Sequence, residues 1–225
     1  MRRRLLTALE PLRASAELAS VGPAAPLLAT APKGDGGRVV VLPGFLASDT
    51  STVLLRRFVE TRNHRTTGWG LGRNLGYYAM GEAVTAFLDE QTEAGPVSIV
   101  GWSLGGLFGR IYARRRPERV ARLITLGSPI GRFEDDQPDA PWGVPCTAIF
   151  SRTDGIVPDA IAQETAGALT ENIEVIASHI GLGVNPAVLW AVADRLAAPA
   201  DDWQRFQPPA ILRPVISSGR AAADG

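Results

Sequence analysis

The chain has 225 residues, 45% of them hydrophobic, enough for one sizeable core in one domain. Lys plus Arg and Asp plus Glu both number 23, so no net field argues for nucleic acid or another polyanion as partner. One cysteine, Cys146, excludes an internal disulfide, and two histidines, His64 and His179, are too few for a multi-histidine zinc site.

The N-terminus, Met1-Arg-Arg-Arg-Leu-Leu-Thr-Ala-Leu9, opens like a signal peptide. Glu10, Pro11, Arg13 and Glu17 then interrupt the apolar run after about five residues, short of the ~7–15 of an h-region. No stretch approaches the ~20 apolar residues of a membrane span, and a cytoplasmic protein is expected. Leu5, Leu9 and Leu12 share one face of an amphipathic helix. That face is expected to pack on the body of the protein. Peripheral membrane contact is the lesser expectation, because the basic Arg2-Arg3-Arg4 cluster is confined to one end. Residues 21–37, rich in Pro, Gly and Ala, read as a connector, so residues 1–37 are expected to form an N-terminal helix and connector.

From residue 38 strands and helices alternate. Arg38–Leu42 is a continuous apolar strand, and Asp49 or Thr50 can cap a helix carrying Val53, Leu54, Leu55, Phe58 and Val59. Arg65–Trp69 reads as a short strand. Residues 77–92 read as a helix with Met80, Ala83, Val84, Phe87 and Leu88 on one side, and Val97–Val100 as a strand. A helix beyond residue 103 ends at Arg114-Arg-Arg before Pro117, where cations suit the helix dipole and proline stops the helix. Val120–Leu126 is a strand, 128–143 a loop, Val144–Phe150 a strand with Cys146 as a buried, inert thiol, 158–169 a helix and Ile173–Ala177 a strand. Asn185-Pro186 forms an N-cap and N1 pair for a helix with Val188, Leu189, Val192 and Leu196 on one face. Residues 208–225, rich in Pro, Ser, Ala and Gly, read as a flexible tail, which leaves 38–207 as the main domain. Strands apolar on both faces, alternating with amphipathic helices, predict an α/β fold: a mostly parallel sheet of about six strands with helices on both faces. In such sheets ligands bind beyond the carboxyl ends of the strands.

The chemistry concentrates there. Gly101-Trp-Ser-Leu-Gly105 lies between the strand ending at Val100 and an apolar helical run through Leu104, Leu107, Phe108 and Ile111. In that setting G-x-S-x-G marks a strained strand-to-helix turn that presents the Ser103 hydroxyl. The competing reading is a glycine-rich turn whose serine only caps the helix. Serine needs a base, and the base needs an orienting acid. Asp154 follows a strand in Thr153-Asp-Gly-Ile-Val157, with Gly155 expected to let the loop turn tightly; Asp159 and Asp49 are weaker alternatives. His179 follows a strand in Ser178-His-Ile-Gly181, whereas His64 precedes the elbow and reads as surface or pocket lip. Donors for an oxyanion are expected from the backbone N–H of Leu104 and from that of Phe45 in Leu42-Pro-Gly-Phe45. The spacing Gly70-x-Gly72-x-x-x-Gly76 is not a dinucleotide loop, since no strong strand precedes it and no acid is suitably placed ~20 residues on.

Leu42-Pro-Gly-Phe45, Gly101-Trp-Ser-Leu-Gly105, Ser151-Arg-Thr-Asp-Gly-Ile-Val157 and Ser178-His179 resemble the α/β-hydrolase fold superfamily, and within it small bacterial esterases and lipase-like hydrolases. Gly68-Trp-Gly-Leu-Gly-Arg-Asn74 also resembles a loop of that group. The resemblance covers roughly residues 38–200. It implies a serine hydrolase cleaving carboxylic esters through Ser103, His179 and Asp154 and an acyl-enzyme, with no cofactor and no metal, acting on a small-molecule or lipid-like ester. Thioesterase or acyltransferase activity would use the same residues, and a non-catalytic binding module on a hydrolase scaffold is the reading from another class. Two departures stand out: nothing between Gly127 and Val144 is long enough for a lid domain, and the first antiparallel strands are replaced by the N-terminal helix. The expected apolar acyl groove draws on Phe45, Leu46, Trp69, Leu71, Trp102, Phe133 and Trp142.

Overall fold

The computed structural model describes residues 2–132, 143–165, 167–199 and 203–218, and its centre is a seven-stranded sheet. In chain order the elements are α1 (Arg2–Ser20), the one-turn α2 (Ala25–Leu28), β1 (Arg38–Leu42), α3 (Asp49–Thr61), β2 (Arg65–Thr67), α4 (Tyr77–Gln91), β3 (Val97–Trp102), α5 (Leu104–Arg115), β4 (Val120–Leu126), β5 (Cys146–Phe150), β6 (Thr170–Val175), α6 (Pro186–Ala197) and β7 (Ile216–Ser218). The strands lie in the order β2-β1-β3-β4-β5-β6-β7, and every neighbouring pair is parallel except β6 and β7.

The apolar run of β1 shows why such a sheet needs helices on both sides. Val39 and Val41 pack with Leu55 and Val59 of α3 and with Val188, Leu189 and Val192 of α6. Val40 and Leu42 point the other way, against Val84 and Leu88 of α4 and Phe108 and Tyr112 of α5. The alternation follows from the two-residue period of a strand. Asn185 caps α6 as its sequence suggests, its side chain accepting from the Ala187 and Val188 N–H groups at 2.9 and 3.4 Å.

Four expectations need correction. The sheet has seven strands rather than about six, and the seventh comes from the segment read as a flexible tail. Ile216 is buried there, and the Val215 carbonyl accepts from the Ile176 N–H at 2.9 Å. A three-residue strand with one inward apolar side chain leaves no periodic trace. In the connector, Leu28 and Ala31 enter the core. Where a helix was expected over 158–169, the described residues hold only the 3-10 turn Asp159–Ile161. The Asn172 side-chain amide takes both the Glu164 N–H and its carbonyl at 2.9 Å, and the Glu164 carboxylate is drawn to buried Arg110 at 2.6 Å. Backbone groups that a helix would use are thus held by a side chain.

The fourth correction concerns α1. Leu5, Leu9 and Leu12 are 61, 37 and 69% exposed, while Glu10 is 1% exposed. The helix docks on its polar face. Among the described residues no helix is long and apolar enough to cross a membrane.

Candidate active site

β3 passes into α5 at Ser103, whose φ of 53° and ψ of −122° lie where only glycine is at ease. Such strain costs about 1–3 kcal/mol and persists only where the surroundings impose it. Here close packing imposes it. A Cβ on Gly101 would lie 2.6 Å from the Gly105 carbonyl carbon, and one on Gly105 would lie 2.8 Å from the Pro43 oxygen. Ser103 occupies the N-cap position of α5 without making a capping hydrogen bond. Its Oγ instead lies 3.0 Å from His179 Nε2, which disposes of the reading that it merely caps the helix.

Asp154 stands in the loop after β5, and His179 in the turn beyond β6. Asp154 Oδ1 accepts from the Ile156 and Val157 N–H groups, each at 2.7 Å, and Oδ2 faces His179 Nδ1 at 2.7 Å. An ionised carboxylate only accepts, so Nδ1 donates and Nε2 is left as an acceptor for the Ser103 hydroxyl. Both side chains are buried, and the Trp102 indole N–H donates to the His179 carbonyl at 3.1 Å. Asp49, a weaker candidate for the acid, is occupied elsewhere, accepting from the Trp69 and Gly70 N–H groups at 2.9 Å.

Gly127 packs against the pair from the end of β4. Its φ is +55°, and a Cβ there would sit 3.1 Å from Asp154 Oδ2 and 3.3 Å from His179 Nδ1. Gly155 serves a purpose other than the expected tight turn. Its φ is not positive, and a Cβ would lie 2.6 Å from the backbone of Leu6 and Thr7, so the missing side chain is what lets α1 approach.

The loop after β1 runs past the serine. A Cβ on Gly44 would be 3.2 Å from Ser103 Cβ and 3.8 Å from Oγ, so the loop backbone at Gly44 passes close to the hydroxyl, while the Phe45 ring lies toward Gly76. Leu104 opens α5, so its N–H is among those with no helical carbonyl to serve. Buried Asn74, to which sequence reasoning assigned no role, clamps this loop. Its side chain donates to the Pro43 carbonyl at 2.9 Å, its carbonyl accepts from the Leu46 N–H at 2.8 Å, and its N–H donates to the Ala47 carbonyl at 2.8 Å.

The expected groove residues divide. Phe45 and Leu46, in the loop that follows Gly44, are 56 and 54% exposed. Trp69 is not a groove residue: it is fully buried in the α4–α5 core, with its indole N–H on the Gly72 carbonyl at 2.9 Å. Leu71 packs against that same core, and Trp102 against the opposite one. Phe133 and Trp142 lie outside the described residues. A separate cleft of about 610 Å³ runs between α4 and α5, lined by Tyr77, Phe108, Ile111 and Tyr112.

Cys146 is buried, and burial pushes its thiol well up, consistent with an inert side chain. His64 is buried rather than at the surface. It lines a cleft of about 590 Å³ with Lys33, Asp35, Arg38 and Arg122 at the amino ends of the strands, away from Ser103. Among the described residues neither ring nitrogen has a hydrogen-bond partner, and burial lowers its pKa. The stability that follows is present in full above the ordinary imidazole value. It is lost as pH falls from there through the lowered folded value, because the unfolded chain takes up the proton first. Urea melts at pH 7.5 and 5 are expected to differ less for His64→Leu than for the parent chain; an unchanged difference would remove His64 from the account.

Among the described residues no group of three or more His, Cys, Asp or Glu side chains is placed to hold a metal ion. A family model described as alpha/beta hydrolase fold matches residues 26–148. A pimeloyl-(acyl-carrier protein) methyl ester esterase of Aromatoleum aromaticum is 39% identical over 72 residues, which are 32% of this chain and 28% of that protein. The chain therefore matches little more than a quarter of that relative's length. Alpha/beta hydrolase domain-containing protein 10 from mouse superposes with a TM-score of 0.59 at 18% identity, over 73% of this chain and 90% of the other. The thioesterase domain from the curacin biosynthetic pathway superposes with a TM-score of 0.53 at 10% identity, over 72 and 92%.

Proposed function

We propose that this chain, which belongs to the alpha/beta hydrolase fold family, is a serine hydrolase of carboxylic esters that works through an acyl-enzyme. The observation that carries this reading is the unbroken line from Ser103 Oγ to His179 Nε2 at 3.0 Å and from His179 Nδ1 to Asp154 at 2.7 Å. Ser103 Oγ attacks the ester carbonyl carbon while its proton passes to His179 Nε2. Asp154 stabilises the imidazolium so formed. The carbonyl oxygen takes the negative charge and is met by the Phe45 and Leu104 N–H groups. Fixed donors of this kind contribute about 3 kcal/mol each to lowering the barrier. Collapse expels the alcohol, which takes the proton from His179, and water then repeats the sequence on the acyl-enzyme. No cofactor enters these steps.

The exposed Phe45 and Leu46, which follow Gly44 in the loop that passes Ser103, support an apolar acyl group, a small-molecule or lipid-like ester lying in an open groove. The curated relative is named an esterase and one structural neighbour a thioesterase domain, so a thioester is the second substrate to test. Acyl transfer would use the same residues, with an acceptor alcohol in place of water.

A fluorophosphonate probe is expected to form one adduct, at Ser103, and the chain to turn over p-nitrophenyl esters, with His179→Ala losing most of that turnover. A folded chain that takes up no probe would leave a binding module as the reading. A His179→Ala chain that keeps the parent's turnover would remove His179 as the base.

A further inference from the structure

We infer that Glu10 of α1 is a positioning residue that holds the acid and base loops of the proposed triad in register; the inference rests on that triad reading. Glu10 Oε1 accepts from the Gly155 N–H at 2.9 Å, and Oε2 accepts from the Ile180 N–H at 2.9 Å. Gly155 directly follows Asp154, and Ile180 directly follows His179. One planar group thus bridges the residues next to both partners of the 2.7 Å Asp154–His179 contact. The carboxylate is 1% exposed, and its polar partners are those two N–H groups and Arg13 at 3.6 Å. A buried carboxylate needs such donors, and charge-assisted bonds of this kind are short and directional.

The rest of α1 works to the same end. Glu17 accepts from the Ser178 N–H at 2.7 Å. Arg13 donates to the Thr153 carbonyl at 2.6 Å and to its hydroxyl at 2.9 Å. The Thr7 hydroxyl donates to the Gly155 carbonyl at 2.5 Å, and Arg3 to the Ile156 carbonyl at 2.8 Å. Every one of these bonds ends on the loop carrying Asp154 or the turn carrying His179. Simple docking of a helix could use its leucines, yet Leu5, Leu9, Leu12 and Leu18 face outward.

Glu10→Gln in the full chain keeps one acceptor and turns an N–H donor toward the other backbone N–H, so one loop loses its anchor. The turnover number per fluorophosphonate-titrated site is expected to fall about tenfold or more, with KM unchanged, since misplacing a catalytic group by about 1 Å can cost ~100-fold. The low-field NMR proton of His179 Nδ1–H, held by Asp154 and read without substrate, is expected to be lost to exchange. Glu10→Asp, which keeps the charge but is too short to span both loops, is expected to do the same and serves if Glu10→Gln does not fold. A lower melting temperature with turnover per titrated site and the low-field proton both as in the parent would overturn the inference and leave Glu10 a structural anchor. A parent chain that neither hydrolyses esters nor labels at Ser103 would sink the hydrolase reading instead, and the proton signal would still decide for or against Glu10.

Discussion

Ser103→Ala is expected to lower ester turnover by about 10⁵-fold or more while the chain folds as before, since loss of the nucleophile of the proposed triad removes nearly everything such a triad contributes. A residue of activity above the uncatalysed rate remains, because the backbone donors are untouched. The variant should melt close to the parent. Its hydroxyl caps no helix, so nothing is lost there, and alanine keeps the Cβ that makes φ of 53° costly. Ser103→Gly separates strain from chemistry. It is equally inactive, but it relieves about 1–3 kcal/mol of backbone strain against ~0.5–1 kcal/mol of extra unfolded-chain entropy. The net gain of about 1 kcal/mol corresponds to a rise of about 2–4 °C in Tm for a chain of this length. Calorimetry alongside p-nitrophenyl ester assays reads both. A glycine variant less stable than the alanine one would mean that the elbow stores no strain.

Gly105→Ala carries the largest expected loss of stability. The added Cβ would lie 2.7 Å from the Leu42 carbonyl carbon and 2.8 Å from the Pro43 oxygen, both backbone atoms at the end of a central strand. No rotamer change clears them, so α5 has to lift from β1. Overpacking against side chains costs about 1–3 kcal/mol, and backbone on the far side of the contact puts this case at about 3 kcal/mol or more. Thermal melts should therefore drop by about 6–12 °C. Turnover falls too, because the lift separates Leu104 from Phe45, the two proposed oxyanion donors. Gly22→Ala is the control: nothing lies within 4 Å of its Cβ, and a change within about 0.5 kcal/mol is expected. A Gly105→Ala variant that melts with the control would refute the close-packed elbow.

What could be read from the sequence was local. A strand, a Gly-x-Ser-x-Gly turn and a helix follow one another without a break from Val97 to Arg115, and Asp154 and His179 each announce themselves by following an apolar run. The sheet was legible wherever a strand was apolar on both faces, as in Val39–Leu42, and not where it had one inward residue, as at Ile216. Trp69 and Phe45 both sit in glycine-bearing loops without periodicity, so composition could not tell the core indole from the exposed ring. The orientation of α1 was hidden for another reason. Its leucines obey the spacing of a buried face, but Thr7, Glu10 and Glu17 satisfy backbone groups of loops far along the chain. A glutamate in a helix reads as solvated until its partner is known.

Glu10 stands 145 residues from Gly155 and 170 from Ile180. During synthesis α1 therefore leaves the ribosome long before either of its docking loops exists, and its carboxylates stay in water until residues beyond 180 have followed. Domains fold as units from the N-terminal side, and contacts this distant in sequence form late. The nascent chain can acquire its elbow and the first strands of its sheet while the proposed acid and base are still unlocked. Secondary structure and the contact of Ser103 with His179 thus belong to different moments in the life of the chain, so a stalled or clipped fragment can look folded to circular dichroism and yet lack the proposed acid and base.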